Sequence, residues 1–327
     1  FCYFYGKNIF ITVVEMYYAG VDIGGKNIKM GIVDDFGNVV SSTTYKTQKE
    51  RGYDAILLEM ISNINSLCEE AGFDISELSG IGIGVTGIVN SRAGLVMSCA
   101  NLNWKGVDLA GDVKNLTGKE CKVCNDANCA ALGEQRFGSG KNFKNLVFIT
   151  LGTGVGSGII IDGNLFEGLG CAGAEAGHMG IQVNGDKCSC GNKGCWEEFI
   201  SAKALIEQTK HAIENNPESL LVEICKDGIS GKSAFIGARE GDSVAKDVVE
   251  KYINYLTYGL IGLTNILHPQ AFVLGGGIAN EGVDLILPVK HLLNEYIDNN
   301  GFYPYVDVVG ASLGNDAGYM GAAALVM

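Results

Sequence analysis

The segment "YYAGVDIGGKNIKMGIVD", which runs from Tyr17 to Asp34, decides how the rest of the chain is interpreted. Apolar runs on both sides of Gly24 and Gly25 predict a strand, a glycine turn and a second strand. The segment "NLVFITLGTGVGSGIIIDGNLFEG" (145–168) repeats this pattern 128 residues later, with Gly152 in the place of Gly24. Helical periodicity follows each unit. This internal duplication predicts an α/β protein with two lobes and a cleft between them.

Three glycine clusters indicate phosphate chemistry, although an ordinary tight turn is the alternative for each of them. The clusters Gly24–Gly25 and Gly152–Gly154 each join a strand to a strand. A nicotinamide-binding fingerprint joins a strand to a helix, so that class of cofactor is disfavoured. Backbone N–H groups of a glycine turn can still wrap phosphate oxygens, because no Cβ blocks the approach. The third cluster, Gly275–Gly277, precedes a helix and could hold a nucleoside or a phosphate.

The segment "CNDANCAALGEQRFGSG" (124–140) lies at the crossover from the first unit to the second, where a cleft residue is expected. It places Asn125 and Asp126 directly before an Ala-rich helical run. One interpretation is that Asp126 caps the free N–H groups of the helix. The other is that its carboxylate accepts a proton from a substrate hydroxyl.

Four potential metal ligands fall within eighteen positions of the segment "GHMGIQVNGDKCSCGNKGCWEE" (177–198). They are His178, Cys188, Cys190 and Cys195. One imidazole and three thiolates form a tetrahedral set that suits Zn²⁺ and leaves no open position, which indicates a structural metal. Coincidence in a cysteine-rich chain is the alternative. The other eight of the eleven cysteines are predicted to be small core residues.

Composition excludes several classes of protein. The chain has 327 residues, enough for about two domains. A net charge of −13 argues against binding to nucleic acid or to an anionic membrane surface, so neither is expected as a partner. No uncharged stretch reaches the length of a membrane span. Eleven cysteines in core-like sequence favour a reducing cytoplasm.

The first fifteen residues, "FCYFYGKNIFITVVE", are expected to be an upstream extension, because Met16 stands just before the first convincing strand. A genuine extra strand is the alternative. A signal peptide is disfavoured, since the segment lacks a strongly basic start and a clear cleavage site.

The order of the motifs resembles the ROK family of sugar kinases, within the actin-like ATPase (ribonuclease H-like) fold. These motifs are "DIGGKNIK", "NDANCAALGE", "LGTGVGSG", "GAEAGHM", "CSCGNKGCWEE" and "LGGG", and the resemblance extends from about Tyr17 to the C-terminus. It implies phosphoryl transfer from ATP, with Mg²⁺, to the 6-hydroxyl of a hexose. It further implies a small N-terminal α/β lobe (16–124 plus 313–327) and a large α/β lobe (125–312) that carries the zinc loop.

The resemblance also implies a role for each matching residue. The hexose-binding set is Asn125, Asp126, Glu175, His178 and Glu197, with Asp126 as the general base. The nucleotide and Mg²⁺ set is Asp22, Gly24, Gly25, Lys26, Asn27, Lys29, Gly152, Thr153, Gly154, Gly276 and Gly277. Lys26 departs from the family pattern, which usually has Thr there. For Glu175 and Glu197, solvated surface charge is the alternative.

Several functions fit this family. The pair "CANLNWKGVDL" and "CNDANCAALGE" most resembles the glucokinases of the family, and N-acetylmannosamine kinase is the alternative. Sugar-sensing repressors of the family carry a DNA-binding domain. They are disfavoured here because only about fifteen apolar residues precede Met16, without a helix-turn-helix pattern. A zinc-stabilised sugar-binding module without turnover is a further alternative. Family members are commonly dimers or tetramers, so a homodimer or homotetramer is expected.

Overall fold

The computed structural model describes residues 16–327, so the expected extension at residues 1–15 lies outside the described part of the chain. The strands of the first half form one five-stranded and one three-stranded sheet. They are β1 (Tyr17–Ile23), β2 (Asn27–Asp34), β3 (Val39–Lys46), β4 (Gly80–Val85), β5 (Ile88–Asn90), β6 (Leu95–Cys99), β7 (Trp104–Val107) and β8 (Cys121–Asn125). The first sheet has the order β3-β2-β1-β4-β8, and the small sheet has the order β5-β6-β7.

The second half builds a five-stranded sheet of the same topology. Its strands are β9 (Leu146–Leu151), β10 (Val155–Ile161), β11 (Asn164–Phe166), β12 (Ala271–Gly275) and β13 (Asp307–Gly310). Their order, β11-β10-β9-β12-β13, repeats the first sheet strand for strand. In both sheets an antiparallel hairpin is followed by parallel strands. The structure therefore confirms the duplicated unit that the glycine turns predicted.

Ten helices cover the sheets in the described part of the chain. They are α1 (Tyr53–Ala71), α2 (Leu109–Thr117), α3 (Asp126–Arg136), α4 (Glu197–Ile200), α5 (Ala202–Asn215), α6 (Leu221–Ile224), α7 (Ser233–Arg239), α8 (Ser243–Leu267), α9 (Val283–Asn299) and α10 (Ala317–Ala324). The apolar residues at helical spacing in α1 are buried, and Gly72 ends that helix in the left-handed region at φ +90°. No helix among residues 16–327 has both the length and the apolar character needed to cross a membrane.

Helix α10 covers the first sheet at very close range. A Cβ on Gly82 of β4 would lie 1.7 Å from the Ala322 carbonyl oxygen, so only glycine permits this packing. The same helix crosses α3, where a Cβ on Gly321 would lie 1.6 Å from the Cys129 carbonyl oxygen. The C-terminal segment therefore packs with the first half of the chain, and the exact lobe boundaries stay a prediction.

Candidate active site

The start of α3 separates helix capping from the presentation of a carboxylate. Asn125, the last residue of β8, caps the helix: its Oδ1 accepts hydrogen bonds from the N–H groups of Ala127 (2.9 Å) and Asn128 (3.1 Å). Its Nδ2 donates to the Gly87 carbonyl at 3.1 Å. Asp126 begins the helix, and its Oδ1 accepts from the Ala127 N–H at 2.9 Å. Because Asn125 already caps the helix, the second oxygen of Asp126 is available for chemistry.

A second carboxyl group lies at the same end of the first sheet. The strands β1, β4 and β8 are parallel, so Asp22, near the carboxyl end of β1, lies at the same end of the sheet as Asp126, which follows β8. Burial raises the pKa of Asp22 to about 6, the Asp126 carboxylate adds to the rise, and Lys29 opposes it. Burial also raises the pKa of Asp126, against the hydrogen bond from Ala127. Two carboxyl groups that repel each other here favour a bound cation.

Lys29 provides a positive charge next to these two carboxyl groups. It lies directly opposite Asp22 in the β1–β2 hairpin. Its Nζ donates to the Asn315 carbonyl at 3.2 Å, just before α10. Lys26, by contrast, is exposed at the turn. The structure thus places Lys29 beside the acidic pair, and it places Lys26 towards solvent.

The first glycine turn is fixed by a residue to which the sequence analysis gave no role. The Gly24 N–H donates to the Asn27 carbonyl at 3.1 Å, which closes the turn. The Thr47 hydroxyl donates to the Gly24 carbonyl at 2.7 Å, and the Thr47 N–H donates to the Lys26 carbonyl at 3.1 Å. The carbonyl groups of Gly24 and Lys26 therefore point towards Thr47, which leaves the outer side of the turn open. No pattern in the sequence marks Thr47, which directly follows the largely exposed strand β3 and is itself fully buried.

The second glycine turn and the third cluster meet at one end of the second sheet. The Gly152 N–H donates to the Gly154 carbonyl at 3.0 Å, so Thr153 is exposed at the tip. Gly276 adopts φ +84°, and a Cβ there would lie 2.6 Å from the Leu151 carbonyl oxygen, one residue before this turn. Gly277 faces open space. The two clusters together present an exposed backbone surface that could hold a nucleotide.

Glu197, the first residue of α4, lies directly behind the second glycine turn. Its Oε2 accepts a hydrogen bond from the Val155 N–H at 2.7 Å. A Cβ on Gly154 would lie 2.5 Å from the same oxygen, so a side chain there would displace the Glu197 carboxylate. β10 also contacts the start of α3, where a Cβ on Gly156 would lie 3.0 Å from Ala127 Cβ. The beginning of β10 therefore connects Glu197 with the helix that carries Asp126.

Glu175 and His178 belong to the same cluster. Glu175 directly precedes a short 3₁₀ turn, Ala176–His178, and His178 is its last residue. The turn packs on β10 so closely that a Cβ on Gly177 would lie 2.2 Å from the Val155 carbonyl oxygen. Loss of surrounding water raises the pKa of Glu175, His178 opposes the rise, and the charges of Asp126 and Glu197 add to it. The five residues expected to bind the hexose are thus brought together by β8, α3, β10 and α4.

The four expected metal ligands also converge. One donor atom from each of His178, Cys188, Cys190 and Cys195 lies within 4.8 Å of the others. Cys188 Sγ is 3.6 Å from His178 Nδ1, and Cys190 Sγ is 3.6 Å from Cys195 Sγ. A zinc tetrahedron with arms of about 2.3 Å has edges of roughly 3.8 Å, so the set could hold one such ion. His178 would ligate through Nδ1, which leaves Nε2 for another partner.

A hydrogen-bonded contact that the sequence did not indicate borders the site. Ser91, after β5, donates from its hydroxyl to Glu167 Oε2 at 2.7 Å, and the Cys124 thiol donates to Glu167 Oε1 at 3.3 Å. This contact joins the small sheet to the loop that leads to Glu175. Glu167 and Ser91 are 76 positions apart, and no local pattern links them.

Comparison with known proteins gives a consistent result. The model of the ROK family matches residues 18–327. The glucokinase of Streptomyces coelicolor is 38% identical over 94% of this chain and 96% of its own length. The xylose repressor of Bacillus subtilis is 28% identical over 95% of this chain and 77% of its own. A crystal structure of a ROK family glucokinase from Streptomyces griseus, in complex with glucose and AMPPNP, superposes with a TM-score of 0.79. It is 34% identical and matches 94% of this chain and 98% of that one.

Proposed function

The chain belongs to the ROK family, and on that premise we propose that it is an ATP-dependent hexose kinase whose substrate is glucose. The actin-like ATPase fold expected from the motifs is confirmed by the structural match to a ROK glucokinase. One observation supports catalysis most strongly. Asn125 satisfies the helix start, so the half-buried carboxylate of Asp126 is left beside the acidic cluster that would bind a sugar.

In the proposed reaction, Asp126 accepts the proton of the glucose 6-hydroxyl as that oxygen attacks the γ-phosphate of ATP. Burial raises the pKa of Asp126, which makes the carboxylate a better proton acceptor than an exposed aspartate. The sugar hydroxyls are held by Asn125, Glu175, Glu197 and His178 Nε2. Each of the two glutamate carboxylates can accept two neighbouring O–H groups at once. These contacts fix the nucleophile in line with the phosphate, and most of the rate enhancement comes from such positioning.

The glycine clusters provide the phosphate and nucleoside contacts. The open side of the turn at Gly24–Gly25, together with Asn27, would face phosphate oxygens, as would Gly152–Gly154 with Thr153. Gly276 and Gly277 would lie against the adenosine. Asp22 would hold Mg²⁺ directly or through water, and the ion would neutralise charge on the transferred phosphoryl group. Lys29 stays beside Asp22 and adds positive charge, whereas exposed Lys26 serves as a peripheral contact.

We further propose that His178, Cys188, Cys190 and Cys195 bind one structural Zn²⁺. The support is the convergence of the four donor atoms and the lack of a fifth, open position in a Cys₃His set. Cys188 also lies near Glu197 and Glu198, and its Sγ is 4.0 Å from Glu197 Oε1. The ion would therefore order the loop that carries one sugar ligand and lies next to another.

The relatives include a repressor, so catalysis has to be tested directly. The purified chain is incubated with ATP, Mg²⁺ and, in turn, glucose, mannose, N-acetylmannosamine or xylose, and ADP release is measured. We expect the highest kcat/KM with glucose, and loss of turnover in Asp126→Asn. Sugar binding by calorimetry without ADP release would instead indicate a binding module or a sensor. A preference for N-acetylmannosamine would overturn the glucose assignment alone. A cytoplasmic location and a homodimeric or homotetrameric state remain parts of this proposal.

A further inference from the structure

A buried carboxylate far from the sugar cluster has more hydrogen-bond donors than any helix cap requires. Glu134, near the end of α3, is 0% exposed. Its Oε2 accepts from the Ser139 N–H (3.0 Å), the Ser312 N–H (3.1 Å) and the Ser312 hydroxyl (3.3 Å), and it lies 3.0 Å from the Ser139 hydroxyl oxygen. Its Oε1 accepts from the Leu313 N–H at 2.8 Å. The carboxylate is thus solvated entirely by polar groups of the protein.

These donors come from the two segments through which the chain passes between the sheets. Ser139 lies between α3 and β9, on the first passage. Ser312 and Leu313 lie between β13 and α10, on the return passage. The single proton of the Ser139 hydroxyl is donated at the shorter distance, 2.7 Å, to the Gly310 carbonyl oxygen at the end of β13. One side chain therefore joins both passages.

The pattern of donors requires a carboxylate rather than an amide. Each oxygen of Glu134 faces at least one backbone N–H: Leu313 at Oε1, and Ser139 and Ser312 at Oε2. A glutamine amide in either orientation would point its NH₂ group at one of these N–H groups, and a backbone donor cannot reverse. Leaving such a buried donor unsatisfied is costly, so the local backbone would shift.

Glu134 cannot touch the substrate, because eight residues of helix place it roughly 12 Å along α3 from Asp126. It can act only through the position of the helix. α10 holds the other side of α3 at the Gly321 crossing. We propose that Glu134 is a positioning residue for phosphoryl transfer: it locks the two interlobe passages together, which holds Asp126 in place relative to the second glycine turn. This inference rests on the proposed function of Asp126.

The test compares Glu134→Gln with Asp34→Asn. Asp34 is also buried and accepts two backbone N–H bonds, from Phe36 and Asn38 (both 2.8 Å), but within a single hairpin. At a temperature where both variants are fully folded, we expect Glu134→Gln to lose about 10-fold in kcat for glucose, with the KM for glucose nearly unchanged, as small misplacements cost rate. Asp34→Asn should keep the wild-type kcat even if its melting temperature falls.

Hydrogen exchange without substrate provides an independent measurement. Peptides that cover residues 137–145 and 309–316 should exchange faster in Glu134→Gln, and at wild-type rates in Asp34→Asn. If Glu134→Gln does not fold, the double variant Ser139→Ala and Ser312→Ala, which keeps every N–H, should show a smaller effect in the same direction. Unchanged exchange in these peptides, or unchanged kcat, overturns the proposal. Wild-type protein that never turns over glucose contradicts the proposed function instead, and the exchange experiment still tests the lock.

Discussion

The two glycine turns stand on sheets of identical strand order, yet the residue pairs beside them differ. Asp22 and Thr150 each stand two positions before the first glycine of their turn. Asp22 pairs across its hairpin with Lys29, whereas Thr150 pairs with Gly156. A charged pair in the first unit thus corresponds to a neutral, small pair in the second. The glycine of that neutral pair lets α3 approach β10. The two copies therefore share one backbone arrangement and differ in the residues of this cross-strand pair.

The largest expected loss of kcat comes from a substitution after the edge strand of the first sheet. Asp126 follows β8, and Ala311 follows the equivalent strand β13. Asp126→Asn should lose on the order of 10²–10⁴ in kcat, the usual worth of a general base, with glucose affinity within a few fold. Steady-state kinetics and calorimetry measure the two quantities. Near-normal turnover in the purified variant would show that Asp126 is not the general base.

The second-largest expected loss of kcat comes from a substitution in the charged pair of Asp22 and Lys29. Asp22→Ala should lower kcat roughly 10–100-fold by disturbing metal and phosphate placement, with little change in sugar binding. Raised Mg²⁺ should recover part of the loss. Thr150→Ala, at the equivalent position, is the matched control and should change kcat only slightly. A similar loss of kcat in both variants would contradict a special role of Asp22 in metal placement.

The loop with the proposed zinc ligands, 178–195, lies within the second unit, so its disorder should affect sugar binding selectively. Cys190→Ser should raise the KM for glucose about 10-fold and leave most of the fold intact, since the loop is one piece of a large domain. Cys225→Ser, outside the ligand set, is the control. Elemental analysis should find about one zinc per wild-type chain. Full activity in metal-free protein would contradict the assignment.

The smallest effect is on stability. Burial raises the pKa of Asp22 to about 6, from an ordinary value near 3.8, so the folded state binds more protons than the unfolded state between these pH values. Folding stability contributed by this group therefore falls as pH rises from about 4 to 6. In chelator, Asp22→Asn should be ~1–3 kcal/mol more stable than wild type above pH 6, and similar to it near pH 4. Urea unfolding at the two pH values measures this, and a difference that does not depend on pH would contradict the role of burial.

Much of the fold follows from local patterns. Helical periodicity after the first unit predicted α1, and apolar runs on both sides of the glycine turns predicted both hairpins. The sequence offered Asp126 as the possible cap of α3, but Asn125 caps the helix, and both residue types cap well. The partners of Glu134 lie up to 179 positions away, so only tertiary packing brings them together. Ser91 and Glu167 were missed for the same reason.

The packing of α10 on β1 and β4 has a consequence for protein synthesis. The strands of the first sheet are made before those of the second, but their covering helix, Ala317–Ala324, is made only after the last strand of the second sheet. The second sheet needs only strands between Leu146 and Gly310, so it can finish first. We therefore expect the growing chain to carry an exposed apolar sheet face until Ala317–Ala324 has left the ribosome, and chaperones bind such faces.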